Sequence, residues 1–249
     1  MPRYKVVLEY EGNRFSGWQR QRKQASVQET LEKAIQQMFA QEVQVEGAGR
    51  TDAGVHALGQ VAHFDLSQDV PPFRVSDGLN HFLRDSGVVV LHTEAVPADF
   101  HARFSAIGRE YEYRIFNRRA PLVIEANQAW HVIPPLDIAK MQEAAKHLVG
   151  HHDFTSFRSA HCQAPSPIRT VDKFDIIHKP ALVGDYIIGH VASRAFLHNQ
   201  VRIMMGTLKL VGEGRLSVDS IPELLQTRDR CTTGPTAPPQ GLYLKSIAY

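Results

Sequence analysis

Two kinds of hydrophobic spacing alternate along this chain, short period-two runs and amphipathic runs of helical period, first over residues 5–91 and again over 110–247. In the first stretch Lys5-Val6-Val7-Leu8-Glu9-Tyr10 predicts a strand, ended by the turn signal Glu11-Gly12-Asn13. Ser26-Val27-Gln28-Glu29 has the form of a capping box and opens a helix that places Leu31, Ile35, Met38 and Phe39 on one core face. Val43 and Val45 predict a short strand, residues 60–65 a second, residues 73–83 a helix, and Val88-Val89-Val90-Leu91 a compact buried strand.

The second stretch starts with Glu110-Tyr111-Glu112-Tyr113-Arg114-Ile115, whose period of two puts Tyr111 and Tyr113 on one face. Leu136, Ala139, Ala144 and Leu148 predict a helix, residues 201–211 another with Met204, Met205 and Leu208 as core, and Ser220-Ile221-Pro222-Glu223 opens a third. Residues 174–177, 186–191 and 242–247 read as strands. Helices interspersed with short amphipathic strands define an α+β class. The expected architecture is two similar halves, 1–105 and 106–249, each an antiparallel sheet with helices on one face, meeting near residues 98–108. With 249 residues, 43% of them hydrophobic, the chain can bury a core in each half.

Between the third and fourth predicted elements lies Gly49-Arg50-Thr51-Asp52-Ala53-Gly54-Val55-His56. It sets an acid, a base and a hydroxyl between two glycines, which tolerate positive φ and close backbone approach. Such a loop can present one carboxylate; equally, an Asp in a Gly-flanked turn can simply bond its own backbone. The surroundings point toward a polyanion. Net charge is only +2, but residues 13–28 contain no acid, and Arg14, Arg20, Arg22 and Lys23 surround Phe15 and Trp18 there. A second acid-free stretch, 154–171, carries Arg158, His161 and Arg169.

Cys162 and Cys231 are far apart and form no CxxC pair, which speaks against a disulfide framework or a thiolate zinc site and fits a reducing compartment. The N-terminus runs directly into a strand pattern and no apolar run approaches the length of a membrane span, so a cytoplasmic protein without membrane contact is expected. His147 and His151 stand at helical i,i+4 spacing beside His152, but no HExxH pattern accompanies them and Gly150 ends the helix; no metal is expected.

Six ordered segments make the chain resemble the TruA-type tRNA pseudouridine synthases over nearly its whole length: Phe15-Ser16-Gly17-Trp18-Gln19-Arg20-Gln21, the Gly49 loop, Arg109-Glu110-Tyr111-Glu112-Tyr113, Asp153-Phe154-Thr155-Ser156-Phe157, residues 196–206 and Gly241-Leu242-Tyr243-Leu244. Glu11 stands where an Asp is usual, and Gln200 where a Met is expected. The resemblance implies the pseudouridine synthase fold, two RRM/ferredoxin-like halves with an active-site cleft between them. It further implies isomerisation of uridine at positions 38 to 40 of the tRNA anticodon stem–loop, a homodimer, and no cofactor or metal. The C1′–N1 bond breaks, uracil turns, and a C1′–C5 bond forms.

By the same resemblance Asp52 is the catalytic carboxylate, Arg202 its guanidinium partner and Tyr111 the ring that stacks on the target base, roles those side chains suit chemically. Arg50 is expected to occupy the space vacated by a flipped nucleotide or to hold a flanking phosphate, and Leu242 to line the substrate. The expected tRNA contacts are Arg14, Trp18, Gln19, Arg20, Arg22, Lys23, Arg158 and Arg169. A carboxylate could attack C6 of uracil, attack C1′, or abstract the ribose 2′ proton, and all three routes stay open. Two other readings compete. A non-catalytic RNA-binding protein with RRM-like sheets explains the aromatics and basic loops but not Arg50-Thr51-Asp52; a glycosidase-like hydrolase needs a second carboxylate that the sequence does not offer.

Overall fold

The computed structural model describes residues 1–22 and 24–249. In chain order the elements are β1 (Arg3–Tyr10), α1 (Val27–Phe39), β2 (Glu46–Gly47), β3 (His56–Asp65), α2 (Pro72–Phe82), β4 (Val88–Val96), β5 (Gly108–Asn117), β6 (Trp130–Val132), α3 (Ile138–Lys146), β7 (Gly150–Asp153), β8 (Ile168–Pro180), β9 (Asp185–Ser193), α4 (Gln200–Gly212), α5 (Ser220–Thr227) and β10 (Leu242–Ala248). The class is α+β, with mostly antiparallel strands. The chain divides into two compact units, one of residues Met1–Ile107 with Tyr243–Tyr249, the other of Gly108–Leu242.

In the first unit β1 lies between β4 and β3, antiparallel to both. Tyr4, Val6, Leu8 and Tyr10 of β1 are all buried, the period of two expected for a strand covered on one face. Tyr243 and Leu244 pair with His56 and Ala57 in parallel, an exception to the antiparallel expectation. Helix α1 starts where Ser26 accepts a hydrogen bond from the Glu29 N–H, and stops where Ala40 adopts a left-handed conformation. Its Leu31 and Ile35 are fully buried, whereas Met38 and Phe39 are half-buried, with Met38 over Gly78 of α2.

Two expected strands are corrected here. Val43 and Val45 lie outside any strand; the Val45 N–H donates to Glu32 Oε1 and its carbonyl accepts from Gln28 Nε2, so side chains of α1 take the bonds a strand partner would have used. The paired residues are instead Glu46 and Gly47, against His63 and Ala62 of β3. Strand β4 is not buried throughout: Val88 and Val90 point inward while Leu91 is 51% exposed, because the strand pairs only with β1 and has α2 on one face.

The second unit has β5, β9, β8 and β7 side by side and antiparallel, with β6 parallel to β5. Met204, Met205 and Leu208 of α4 are fully buried, and Met205 lies over Gly189 of β9, where a Cβ would collide with its sulfur. The buried face of α3 differs from expectation. It consists of Met141, Ala144 and Ala145, with Leu148 just beyond; Ala139 is exposed and Leu136 precedes the helix, whose cap is Asp137. His147 caps that helix and His151 lies on β7, so their i,i+4 spacing is not helical; His151 bonds Thr170 Oγ1 and His152 the Val149 carbonyl.

Candidate active site

Asp52 sits in the connection between β2 and β3, half-buried. Four backbone anchors shape that connection. The Trp18 N–H donates to the Thr51 carbonyl at 3.0 Å, the Val55 N–H to the Asp52 carbonyl at 3.1 Å, and Ala48 N–H to Val61 O at 2.8 Å, while Gln60 Nε2 donates to Gly49 O at 2.8 Å. From below, Thr51 Oγ1 meets the Tyr10 hydroxyl at 2.8 Å. Gly54 takes positive φ as expected, but Gly49 does not; the second glycine the loop requires is Gly17, at φ +107°, bridged to Asp52. A Cβ on Gly17 would stand 2.5 Å from the Thr51 carbonyl oxygen. Gly17 lies in the Phe15–Gln21 segment, yet its role is visible only in space.

The last residue of the loop, where β3 begins, is held as firmly. His56 Nδ1 accepts the Gly12 N–H at 3.1 Å, and its ring stacks on Tyr243 with centroids 4.7 Å apart. These contacts tie the turn after β1, the start of β3 and the start of β10 together around the loop's exit.

The basic segment splits into anchored and outward-facing residues. Arg14 bonds Glu11 Oε2 at 2.7 Å and the Asp85 carbonyl at 2.9 Å. Arg20 pairs with Glu32 at 2.7 Å, Arg22 is exposed, and Lys23 lies outside the described residues. Exposed Arg50 donates Nε to Gln19 Oε1 at 3.1 Å. Trp18, expected among the tRNA contacts, lies inward. It is 2% exposed, packed against Gly47 and Tyr10, so its ring supports the loop from within the core.

In the second unit Arg202 projects from the first turn of α4. Its Nε donates to the Ala237 carbonyl at 2.7 Å and Nη1 to Asn199 Oδ1 at 2.9 Å, while Ala237 N–H returns a bond to the Arg202 carbonyl at 3.1 Å. Asn199 can serve because it caps the helix in a left-handed conformation. Beside Arg202, Gln200 spends its Oε1 on the Leu197 N–H and leaves the arginine's bonds intact. Tyr111 is half-buried, its ring edge-on to Phe196 at 5.3 Å. Tyr113, two residues on, is fully buried and donates to the Pro238 carbonyl at 2.8 Å; burial pushes its phenol well above the ordinary range against the opposing pull of Arg202. It is therefore a neutral donor that fixes the 237–241 segment. Leu242 is buried, Arg158 half-buried, and Arg169 turns its guanidinium to the Ser166 and Ile168 carbonyls.

Sequence comparison places the chain among known proteins. A model of the family described as tRNA pseudouridine synthase matches residues 6–105 and 144–249. The chain is 51% identical over its full length to the tRNA pseudouridine synthase A of Paramagnetospirillum magneticum, spanning 96% of that protein. It is 49% identical over its full length to those of Dinoroseobacter shibae, spanning 97%, and Rhizobium meliloti, spanning 100%. The chain belongs to the tRNA pseudouridine synthase family. It is an RNA-modifying isomerase.

Proposed function

We propose that this chain converts uridine to pseudouridine in the tRNA anticodon stem–loop, at positions 38 to 40, with Asp52 as the nucleophile or base. The observation that carries the reading is the construction around Asp52: neighbouring backbone bonded on both sides, a hydroxyl pair beneath Thr51, and a left-handed Gly17 laid against it. Fixing the backbone that carries one carboxylate limits the motion that would otherwise be frozen out at the reacting carbon. The isomerisation breaks C1′–N1 and forms C1′–C5, and the hydrogen at C5 leaves as a proton.

The target nucleotide must leave its stack to expose C5, C6 and C1′. Arg50, exposed and adjacent in sequence to the anchored Thr51, fills the vacated space or holds a flanking phosphate. Tyr111 stacks on the extruded uracil, its edge-on Phe196 setting the ring plane. Arg202 balances the charge of the reacting carboxylate, and the chain works as a homodimer in the cytoplasm, with two sets of basic side chains facing one tRNA. Exposed Arg22 contributes to that tRNA grip, with Lys23, Arg158 and Arg169.

Tritium release from tRNA carrying uridine labelled at C5 tests the reaction directly. Wild-type protein releases tritium in proportion to pseudouridine formed, and Asp52→Asn binds tRNA with wild-type affinity but releases none. Binding without release by the wild type would leave an RNA-binding protein, and free uracil in solution would mean hydrolysis. Sedimentation at micromolar concentration reads the dimer: a fully active monomer overturns that part.

A further inference from the structure

We propose that a buried amide and carboxylate, Gln28 and Glu32 on α1, position Arg50 for its work on the nucleotide, acting through Gln19. The inference rests on the role given to Arg50 above. Glu32 is 8% exposed and accepts three bonds: Arg20 Nη2 at 2.7 Å, Val45 N–H at 3.1 Å and Gln28 Nε2 at 3.3 Å. A carboxylate can only accept, so Gln28 must turn its NH2 toward it. That NH2 also donates to Val45 O at 3.0 Å. The Gln28 carbonyl then faces the opposite way and accepts from Gln19 Nε2 at 2.7 Å and from the Arg20 N–H at 3.0 Å.

Every donor and acceptor of the Gln28 amide is thus in use, which leaves it one orientation. The consequence passes outward. Gln19 has committed its NH2 to Gln28, so its own oxygen points to the surface and receives Arg50 Nε at 3.1 Å. The charge on Glu32 thereby sets the direction of two amides in series and presents an acceptor, rather than a donor, to the guanidinium. Gln28 and Glu32 touch no substrate in this scheme; they are positioning residues, and Gln19 is the link that aims Arg50. The same pair holds Arg20 and the backbone of Val45, so the basic segment, α1 and the approach to the Asp52 loop share one anchor.

A double-mutant cycle on the full-length protein tests the link, reading kcat and KM for unmodified tRNA together with Tm. Gln28→Ala and Gln19→Leu each lower kcat/KM by about five- to tenfold, the scale of one hydrogen bond. In an Arg50→Ala background neither lowers it further, because the side chain they aim is gone. Gln19→Leu lies at the half-buried end and keeps the protein folded should Gln28→Ala fail to fold. Equal losses in both backgrounds mean a purely structural contribution and overturn the proposal while leaving Arg50 its role. Wild-type kcat/KM in Arg50→Ala alone removes the role of Arg50, and this proposal with it.

Discussion

The Tyr10 hydroxyl lies 2.8 Å from Thr51 Oγ1, so the last residue of β1 braces the loop from a point 41 positions away in sequence. Both atoms are buried, and Gln60 Nε2 stands 3.5 Å from the same phenol while bonding the Gly49 carbonyl at 2.8 Å. Tyr10 reaches this place because the β1–β3 register shifts between Leu8 and Tyr10, a local irregularity of the kind often found beside functional sites.

Removing that phenol oxygen leaves the Thr51 hydroxyl buried without its partner. Tyr10→Phe is expected to cost about 1–3 kcal/mol, or roughly 3–10 °C in Tm for a chain of this length. Calorimetry reads the stability, and steady-state kinetics should show kcat falling with KM for tRNA little changed. Unchanged Tm and kcat would mean the pair does not hold the loop.

Gly17 makes a sharper demand on the backbone. At φ +107°, with the Thr51 carbonyl oxygen 2.5 Å from any Cβ placed there, Gly17→Ala must either shift the loop or strain the chain, at a cost of order 1–3 kcal/mol. The expected outcome is a folded protein with at least about a tenfold loss of kcat, since Asp52 is the residue bridged to Gly17. Gly49→Ala, at a position without positive φ, should be much milder.

Arg202 uses two sides of its guanidinium, Nε toward Ala237 O and Nη1 toward Asn199 Oδ1. A lysine ammonium cannot reproduce that fork. Arg202→Lys is therefore expected to keep the fold, by circular dichroism, and to lose roughly tenfold or more in kcat; a wild-type rate would return Arg202 to an ordinary helix-surface cation.

His63 supplies a pH prediction. It is buried, its Nδ1 accepts the Ala102 N–H at 3.2 Å, and burial, Arg3 and His101 hold its pKa below the ordinary 6.5. Above pH 6.5 the ring is neutral both folded and unfolded, and its contribution is constant. As the pH falls from 6.5 through the lowered folded value, the unfolded chain takes up the proton first, so stability falls. Urea midpoints measured from pH 7.5 down to 5 should decline for the wild type and decline less for His63→Gln, which keeps an acceptor for Ala102. Equal slopes in the two proteins would exclude His63 as the source.

Read along the chain, the elements with strong local signals were legible: the capping box of α1, the alternation of β1, the apolar core of α4, and the loop that carries Asp52. Those signals live within a few residues, where period and capping chemistry act. The failures share one cause. Val45 fits a strand pattern locally, while its actual partners, Gln28 and Glu32, come from a helix more than ten residues earlier. Ala139 fits a helical period but faces solvent, since burial depends on which side of α3 meets β8 and α4. Trp18 stands in a basic, aromatic stretch, and only its packing against Gly47 shows the ring to be buried.

The candidate site divides the same way. Its residue types, an acid beside an arginine between glycines, a tyrosine-bearing strand and an arginine-bearing helix, are written in the sequence and suffice for the family. Which glycine bends against the loop, which hydroxyl braces Thr51, and which buried carboxylate orients the amides behind Arg50 were decided by tertiary structure. Glu32 and Gln28 meet one helical turn apart, but the other contacts join atoms 9 to 41 positions apart, a distance over which only the packed fold, and no local propensity, specifies who meets whom.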